Sequence, residues 1–576
     1  MTAATGLNSW DNQKFRRHHF TKHQRIRPLL EAGYMKIAKR FSYVQANQAL
    51  LQADRYLMRG DLKLSWDDDR VQRWCEARAD EVAHICMKWS SEEAAVIKVK
   101  SILDIYGIQY PDRQAELFGD GPALRRCSCP IWWRRNVRVL QGRAVEELAR
   151  SWRLVHNKNQ IYCSDVTVGS RIEQKRRNNR LLSQLQATND IGQEYLVSEL
   201  AELAVSNPKI RRSELMVRMR GFEDLAASQG RVGEFYTITC PSKYHSTNKG
   251  GIPNGKWNGA TVREANDYLC GLWCRVRASL KRSGVDVYGF RVAEPNHDGC
   301  PHWHLLLFCD PVDCDVLRGT IREYALAEDP EEPGAREHRF TAVAIDPSRG
   351  SATGYIAKYI SKNIDGHGLH DDLYGHEAKS SAVRIEAWAS RHGIRQFQQI
   401  GGPSVTVWRE LRRLDKPEDG IMEECRIAAD SANWSAFCML MGSGRGQALQ
   451  IARLHDVDVE TGECISPVYN RYGEPAIGRI VGLIGQGVAA ITRIWRWTIQ
   501  KVNHTKERIR SAPAEGFALV PDGIVHKKQG VRSAFAEAAL SAYLAVGGPP
   551  RGRSWSSVNN CTGWKKWEGK VSECSK

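Results

Sequence analysis

One short stretch limits the fold of this chain more than any other. In Pro301-His302-Trp303-His304-Leu305-Leu306-Leu307-Phe308, the bulky apolar run from Trp303 to Phe308 follows the turn-forming residues Asn296-His297-Asp298-Gly299. Such a run, bounded by turn residues, reads as a buried strand. Side chains alternate along a strand, so His302 and His304 share one face. Paired imidazoles on a rigid strand can hold a divalent cation, and Glu294, eight residues before His302 across the turn, can supply an oxygen ligand from the neighbouring strand. His297, in the turn itself, is the alternative third ligand. His-x-His pairs also occur as ordinary packed or surface histidines, so spacing alone does not decide between ligation and packing.

The flanking residues extend the pattern. Phe235 to Thr239 alternates bulky and hydroxyl residues like a strand that Pro241 ends. Val262 to Arg282 carries an apolar stripe of Leu269, Leu272, Trp273 and Val276 at helical spacing, closed by Ser283-Gly284. Val285 to Val292 reads as the next strand, followed by the His-x-His strand, a helix over Val312 to Ala327 and a strand over Arg339 to Ala344. Strand, helix, strand, turn, strand, helix, strand is an α+β pattern with an antiparallel sheet.

Gly354-Tyr355-Ile356-Ala357-Lys358-Tyr359-Ile360-Ser361-Lys362-Asn363 comes next, preceded by Ser351 and Thr353 as hydroxyl caps. On a helix, residues four apart lie on one face with Cβ atoms about 5–6 Å apart. Tyr355 and Tyr359 would then be close enough for one phosphate to meet either, and Lys358 and Lys362, three residues after each, lean towards the same or the adjacent stripe and can neutralise phosphate oxygens. Packing of a Tyr-x-x-x-Tyr pair on an amphipathic helix is the bland alternative.

Taken together, the Pro-His-Trp-His-Leu-Leu-Leu-Phe strand and the Tyr-x-x-x-Tyr-Ile-Ser-Lys-Asn helix resemble the two signature motifs of HUH endonucleases. More closely, the chain resembles the replication gene A proteins of tailed phages, which start rolling-circle DNA replication. Phe235-Tyr236-Thr237-Ile238-Thr239-Cys240-Pro241 stands where that family has its first strand motif. Ile394 to Pro403 and Val407 to Leu414 are similar to the segment after its catalytic helix. The resemblance implies a ferredoxin-like or RRM-like sheet with the histidines on a central strand. It also implies Tyr355 and Tyr359 as nucleophiles, His302, His304 and Glu294 as ligands of Mg²⁺ or Mn²⁺, and Lys358 and Lys362 as phosphate contacts. A phenol with a pKa near 10 is ionised in only about one molecule in a thousand at neutral pH, so it needs a cation's help. The implied substrate is single-stranded or locally melted origin DNA, nicked to leave a 5′-phosphotyrosine and a free 3′ hydroxyl, with a host helicase and polymerase as expected partners.

Composition agrees with a polyanionic partner: 83 Lys and Arg against 66 Asp and Glu give a net charge of +17. Between Arg134 and Arg180 there are 12 Lys or Arg and 4 Asp or Glu, interleaved with aromatics, and Lys209 to Arg220 is a second basic run. Both suit phosphate contact, or else form solvated faces. Expected regions are a basic N-terminal arm over 1–45, a helical basic domain contacting DNA or a host factor over 46–230, and the endonuclease domain over 231–415. A mixed, mostly helical region over 416–545 and a flexible tail over 546–576 complete the chain. Asn470-Arg471-Tyr472-Gly473-Glu474-Pro475 also resembles the family, with no chemistry assigned to it. Cys75, Cys86, Cys127-Ser128-Cys129 and Cys163 lack the Cys-x₂₋₄-Cys spacing of structural zinc and read as ordinary cysteines without disulfides. With no secretory signal in Met1 to Gln13, and with Ile480 to Trp495 broken by Gln486 and Arg493, a cytoplasmic protein with no membrane partner is expected. Two rival classes remain: a metal-dependent nuclease that activates water, and a basic DNA-binding protein without catalysis.

Overall fold

The computed structural model describes residues 6–502 except 90, 349, 373, 415–419, 443–445, 456–467, 486–487 and 494. The helical run expected from Ser533 to Ala545 and the tail from 546 lie outside these residues. The fold is α+β, and its centre is a five-stranded antiparallel sheet. The strands β1 (Val232–Thr239), β2 (Tyr288–Pro295), β3 (Pro301–Cys309), β4 (Phe340–Ala344) and β5 (Phe397–Ile400) lie in the order β4-β1-β3-β2-β5. The His-x-His strand β3 is the middle strand, and every residue in it is buried. Its register sets Glu294 opposite His302, and sets His304 between Thr237 and Val292. A slip of one residue would send both imidazoles to the other face, so this register is a condition of the site.

The helices that cover the sheet include α1 (Pro208–Ser228), α2 (Val262–Arg282), α3 (Cys314–Leu326), α4 (Ala352–Ile364) and α5 (Ala378–His392). One face, with Phe235, Phe290, Val292, Leu306 and Phe308, packs on α1, α4 and the helices Val405–Leu411, Ile421–Asp430 and Trp434–Met441. The opposite face, with Tyr236, Ile238, Trp303, Leu305 and Leu307, packs on α2, α3 and Trp388 of α5. Helix α2 spans the residues read from its apolar stripe. It starts in a capping box, in which Thr261 Oγ1 accepts the Glu264 N–H and the Glu264 carboxylate accepts the Thr261 N–H at 2.8 Å.

The N-terminal region departs from expectation. Where an exposed arm or a loose helix was expected, residues 10–40 form the helices Trp10–Lys22 and Arg27–Arg40, with Phe20, Ile26, Leu29, Leu30 and Tyr34 buried in a core that continues to Val155. These apolar residues stand at helical spacing among so many histidines, lysines and arginines that the face they form is hidden in the composition. Gly33 is required there, because a Cβ would lie 1.9 Å from Cε3 of Trp152. The long helix Pro130–Ser151 ends at Arg150, which is wholly buried and donates to the carbonyls of Asp298 (3.1 Å), Ala260 (3.0 Å) and Tyr244 (3.1 Å) while pairing with Glu147 at 2.7 Å. The helical bundle is thereby fastened to the turn between β2 and β3.

The expected domain limits also shift. Helix α1 lies before residue 231, yet Leu215, Met219 and Phe222 complete the core against the sheet. Its basic run is largely used within the chain: Arg212 pairs with Asp365, Arg218 with Glu214, and Arg220 with Asp224. Beyond 441 the regular elements among the described residues are strands rather than helices: Gln450–Leu454, Arg479–Gly485 and Val488–Ile491 form one sheet, and Trp497–Lys501 pairs with Leu185–Asn189. No helix among the described residues is long and apolar enough to cross a membrane. Cys75, Cys127 and Cys163 are buried free thiols.

Candidate active site

The strand period and the register bring three donors to one face of the sheet. His302 Nε2 and His304 Nε2 are 3.0 Å apart, and Glu294 Oε2 lies 3.8 Å from the first and 3.7 Å from the second. All three side chains are buried. Thr237, across from His304 on β1, places Oγ1 3.0 Å from His304 Nδ1; the tautomer that donates from Nδ1 leaves the Nε2 lone pair directed to the cluster. Among the described residues this is the group of His, Cys, Asp and Glu side chains whose donor atoms all lie within 4.8 Å of one another. His297, the alternative third ligand, is outside it and packs edge-on against Tyr374.

The donor chemistry fits a divalent cation. Two imidazole nitrogens bound at about 2.1 Å to an octahedral ion lie about 3 Å apart, and these two already stand at 3.0 Å. Burial, with His304 and Lys362 beside it, pushes His302 down to about 3, so its ring is neutral and its lone pair available. Burial alone would raise Glu294, but Lys362, His304 and His302 outweigh it and hold the carboxyl below the usual carboxylate range.

Helix α4 brings Tyr359 against this cluster and Tyr355 against the neighbouring Phe235. Ser351 Oγ accepts the Gly354 N–H at 2.9 Å, and Glu223 of α1 accepts the N–H groups of Ala352 (2.7 Å) and Thr353 (3.2 Å) and the Thr353 hydroxyl (2.6 Å). Ala352, Ile356 and Ile360 are buried in the core, which turns the tyrosine stripe towards the edge of the site. Tyr359 is half-buried, its ring 4.1 Å from that of His304, whereas Tyr355 is 44% exposed. The Phe235 ring touches both phenol rings, 5.4 Å from Tyr359 and 5.7 Å from Tyr355. Burial, the Glu294 charge and Tyr355 push the Tyr359 phenol up to about 12.

The two lysines have different surroundings. Lys358 is exposed, with Nζ over both phenol rings at 5.6 Å from Tyr355 and 5.0 Å from Tyr359. Lys362 is 4% exposed and reaches inward, its Nζ 3.1 Å from Glu294 Oε2 and 5.6 Å above the ring of Tyr162. Tyr162 in turn donates to Asp372 Oδ2 at 2.7 Å.

Several residues of the site had no assigned role in the sequence. Asn363 Nδ2 donates both to Glu294 Oε1 and, at 2.6 Å, to the carbonyl of Tyr359, and Gln396 Nε2 lies 3.5 Å from the Asn363 carbonyl. Asn363 stands four residues after Tyr359 in the quoted helical run, which is the signal that could have found it. Thr237 was legible as a hydroxyl of the alternating strand, but its partner follows only from the pairing of β1 with β3. Glu223 and Tyr162 lie far away in sequence, with no local signal.

The model of the family described as "Bacteriophage replication gene A protein (GPA)" matches residues 75–367. The chain is 43% identical over 394 residues to the "Replication gene A protein" of Escherichia phage 186, covering 66% of this chain and 56% of that protein. It is 40% identical over 395 residues to the "Probable replication protein P12" of Pseudoalteromonas phage PM2, covering 66% and 59%. It is 36% identical over 417 residues to a "Probable replication endonuclease from prophage-like region" of Salmonella paratyphi A, covering 69% and 51%. The chain thus spans between 51% and 59% of the length of these curated relatives. No solved structure matches it.

Proposed function

The chain belongs to the bacteriophage replication gene A protein family, and from that premise we propose that it is a DNA endonuclease that initiates phage DNA replication by nicking one strand. In this reading it is a two-tyrosine HUH enzyme that makes a 5′-phosphotyrosine link and frees a 3′ hydroxyl for a polymerase. The observation that carries the reading is the approach of the Tyr359 ring to within 4.1 Å of the His304 ring, with Tyr355 against Phe235, beside the Glu294–His302–His304 donor set. The relative described as a replication endonuclease supports the nuclease class.

His302, His304 and Glu294 would hold Mg²⁺ or Mn²⁺. Bound there, such an ion supplies Lewis-acid polarisation of the scissile phosphate and charge neutralisation in the in-line transition state. The chain's own residues do the rest. Lys358, over both phenols, lowers the cost of forming either phenolate and faces solvent, where a DNA phosphate arrives. The attacking phenol gives its proton to solvent, its oxygen forms the new P–O bond, the bond from phosphorus to the 3′ oxygen breaks, and that oxygen takes up a proton. One phosphate ester replaces another, so the reverse step rejoins strands without ATP. The second tyrosine, one helical turn away, can attack a regenerated origin after one round of synthesis. Single-stranded or melted DNA is the expected substrate, since an unpaired backbone can enter the compact site, and a helicase and polymerase of the host would extend the primer.

The test is incubation with ³²P-labelled single-stranded origin DNA and Mn²⁺ or Mg²⁺, followed by denaturing electrophoresis. The wild-type chain acquires label in a denaturant-stable adduct, and the double variant Tyr355→Phe, Tyr359→Phe does not. Cleavage that leaves the protein unlabelled would instead identify a water-activating nuclease, and binding without cleavage a non-enzymatic DNA-binding protein.

A further inference from the structure

The last turn of α4 holds a cation of its own. Lysine is almost never fully buried without a specific partner, yet Lys362 is 4% exposed, and its Nζ sits 3.1 Å from Glu294 Oε2. That oxygen is the one facing His304 Nε2 at 3.7 Å and His302 Nε2 at 3.8 Å. The ammonium is backed by the Tyr162 ring at 5.6 Å, which Asp372 pins through a 2.7 Å hydrogen bond from the Tyr162 hydroxyl. The next residue, Asn363, takes the other carboxylate oxygen and the Tyr359 carbonyl. Lys358, four residues earlier, is exposed beside the phenols.

We propose that Lys362 is a positioning residue, the internal counter-charge of Glu294: with Asn363 it docks the tyrosine helix on the cation-binding carboxylate, and it competes electrostatically with the divalent ion for the same oxygen. Contact with the DNA phosphate then falls to Lys358. A carboxylate has room for both partners, with about four lone-pair sites, but two positive charges a few ångströms apart in a buried site repel. The site therefore gives up some metal affinity in exchange for a fixed distance between phenol and ligand. This inference rests on the proposed reading of Glu294 as a cation ligand.

The experiment measures Mn²⁺ binding to the full chain without DNA, by calorimetry, alongside single-turnover adduct formation and the KM for an origin oligonucleotide. Lys362→Met, neutral and of similar length, is expected to bind Mn²⁺ about three- to tenfold more tightly while forming the adduct at least about tenfold more slowly at unchanged KM. Lys362→Arg, which keeps the charge, is expected to stay near wild type in Mn²⁺ affinity. A merely structural lysine would lower both affinity and rate, and a phosphate contact would raise KM and leave Mn²⁺ affinity alone; either result overturns the proposal. Lys362→Gln serves the same comparison if the Met variant does not fold. Should wild type bind Mn²⁺ and Glu294→Gln weaken it, while neutralising Lys362 gives no tightening, this inference fails and the reading of the site stands. Should Glu294→Gln leave Mn²⁺ binding unchanged, the reading of the site itself fails.

Discussion

Among single residues, two buried histidines contribute to how the protein meets acid. Burial, with His304 and Lys362 beside it, holds His302 near 3, and burial, with Arg150, Arg143, Arg391 and Arg263 nearby, holds the wholly buried His392 well below the usual imidazole range. The sign follows from the direction of the shift. The unfolded chain takes up these protons below about 6.5, whereas the native chain refuses them, so the stability they contribute is complete above that pH and is lost as the pH falls. Each can contribute a slope of up to about 1.4 kcal/mol per pH unit. His245, in which Cys300 and Asp298 outweigh burial, titrates with the opposite sign, so the comparison must be made between variants. Urea unfolding between pH 7 and 5 is expected to show a shallower loss of stability in His392→Leu than in wild type; parallel curves would contradict this account. The residue scale is also where the sequence was most and least legible. The sharing of one face by His302 and His304, and by Tyr355 and Tyr359, is legible from the strand and helix periods, although spacing alone left packing open as their role. The inward turn of Lys362 is not, because its partner Glu294 is 68 residues away in the chain and burial is a property of the packed helix.

At the level of elements, the tyrosine helix depends on a carboxylate from outside itself. Glu223 of α1 satisfies two of the free N–H groups at the start of α4 and holds the Thr353 hydroxyl. Glu223→Ala is expected to destabilise this helix end by about 1–2 kcal/mol, seen as amide hydrogen exchange roughly tenfold faster over Gly354 to Ala357, with Glu223→Gln intermediate. Elements with a strong local period were readable beforehand: α2 from its apolar stripe, β3 from its bulky run, and the start of α4 from Ser351. Elements that depend on distant partners were not. The short edge strand β5 gains its identity from pairing with β2, and the first two helices bury apolar residues scattered among basic ones.

Across the whole molecule, the Asn470 to Pro475 segment now has a role. Asn470 Oδ1 accepts the N–H groups of Tyr472 (2.8 Å) and Glu474 (3.2 Å), shaping a turn that presents Glu474 to a two-pronged contact with Arg126 at 2.6 and 2.5 Å. The same guanidinium lies 4.4 Å over the Tyr472 ring, and Arg125 donates to the Tyr472 carbonyl at 2.9 Å. Glu474 is 4% exposed, so removing one partner leaves a charge stranded: Arg126→Ala or Glu474→Ala is expected to cost about 2–4 kcal/mol, and the double variant less than the sum of the two, measured by thermal unfolding. Strict additivity would show that the contact carries no coupling. The same long-range economy governs the central five-stranded sheet. One of its faces is roofed in part by the helix Pro208–Ser228 from before it and the helices Ile421–Asp430 and Trp434–Met441 from after it, so Phe290, Leu306 and Phe308 draw cover from both sides of the stretch that looked like a self-contained unit. That stretch is therefore not a cassette: a fragment trimmed to 231–415 would keep the histidines and tyrosines of the candidate site and lose part of the ceiling that holds them in line.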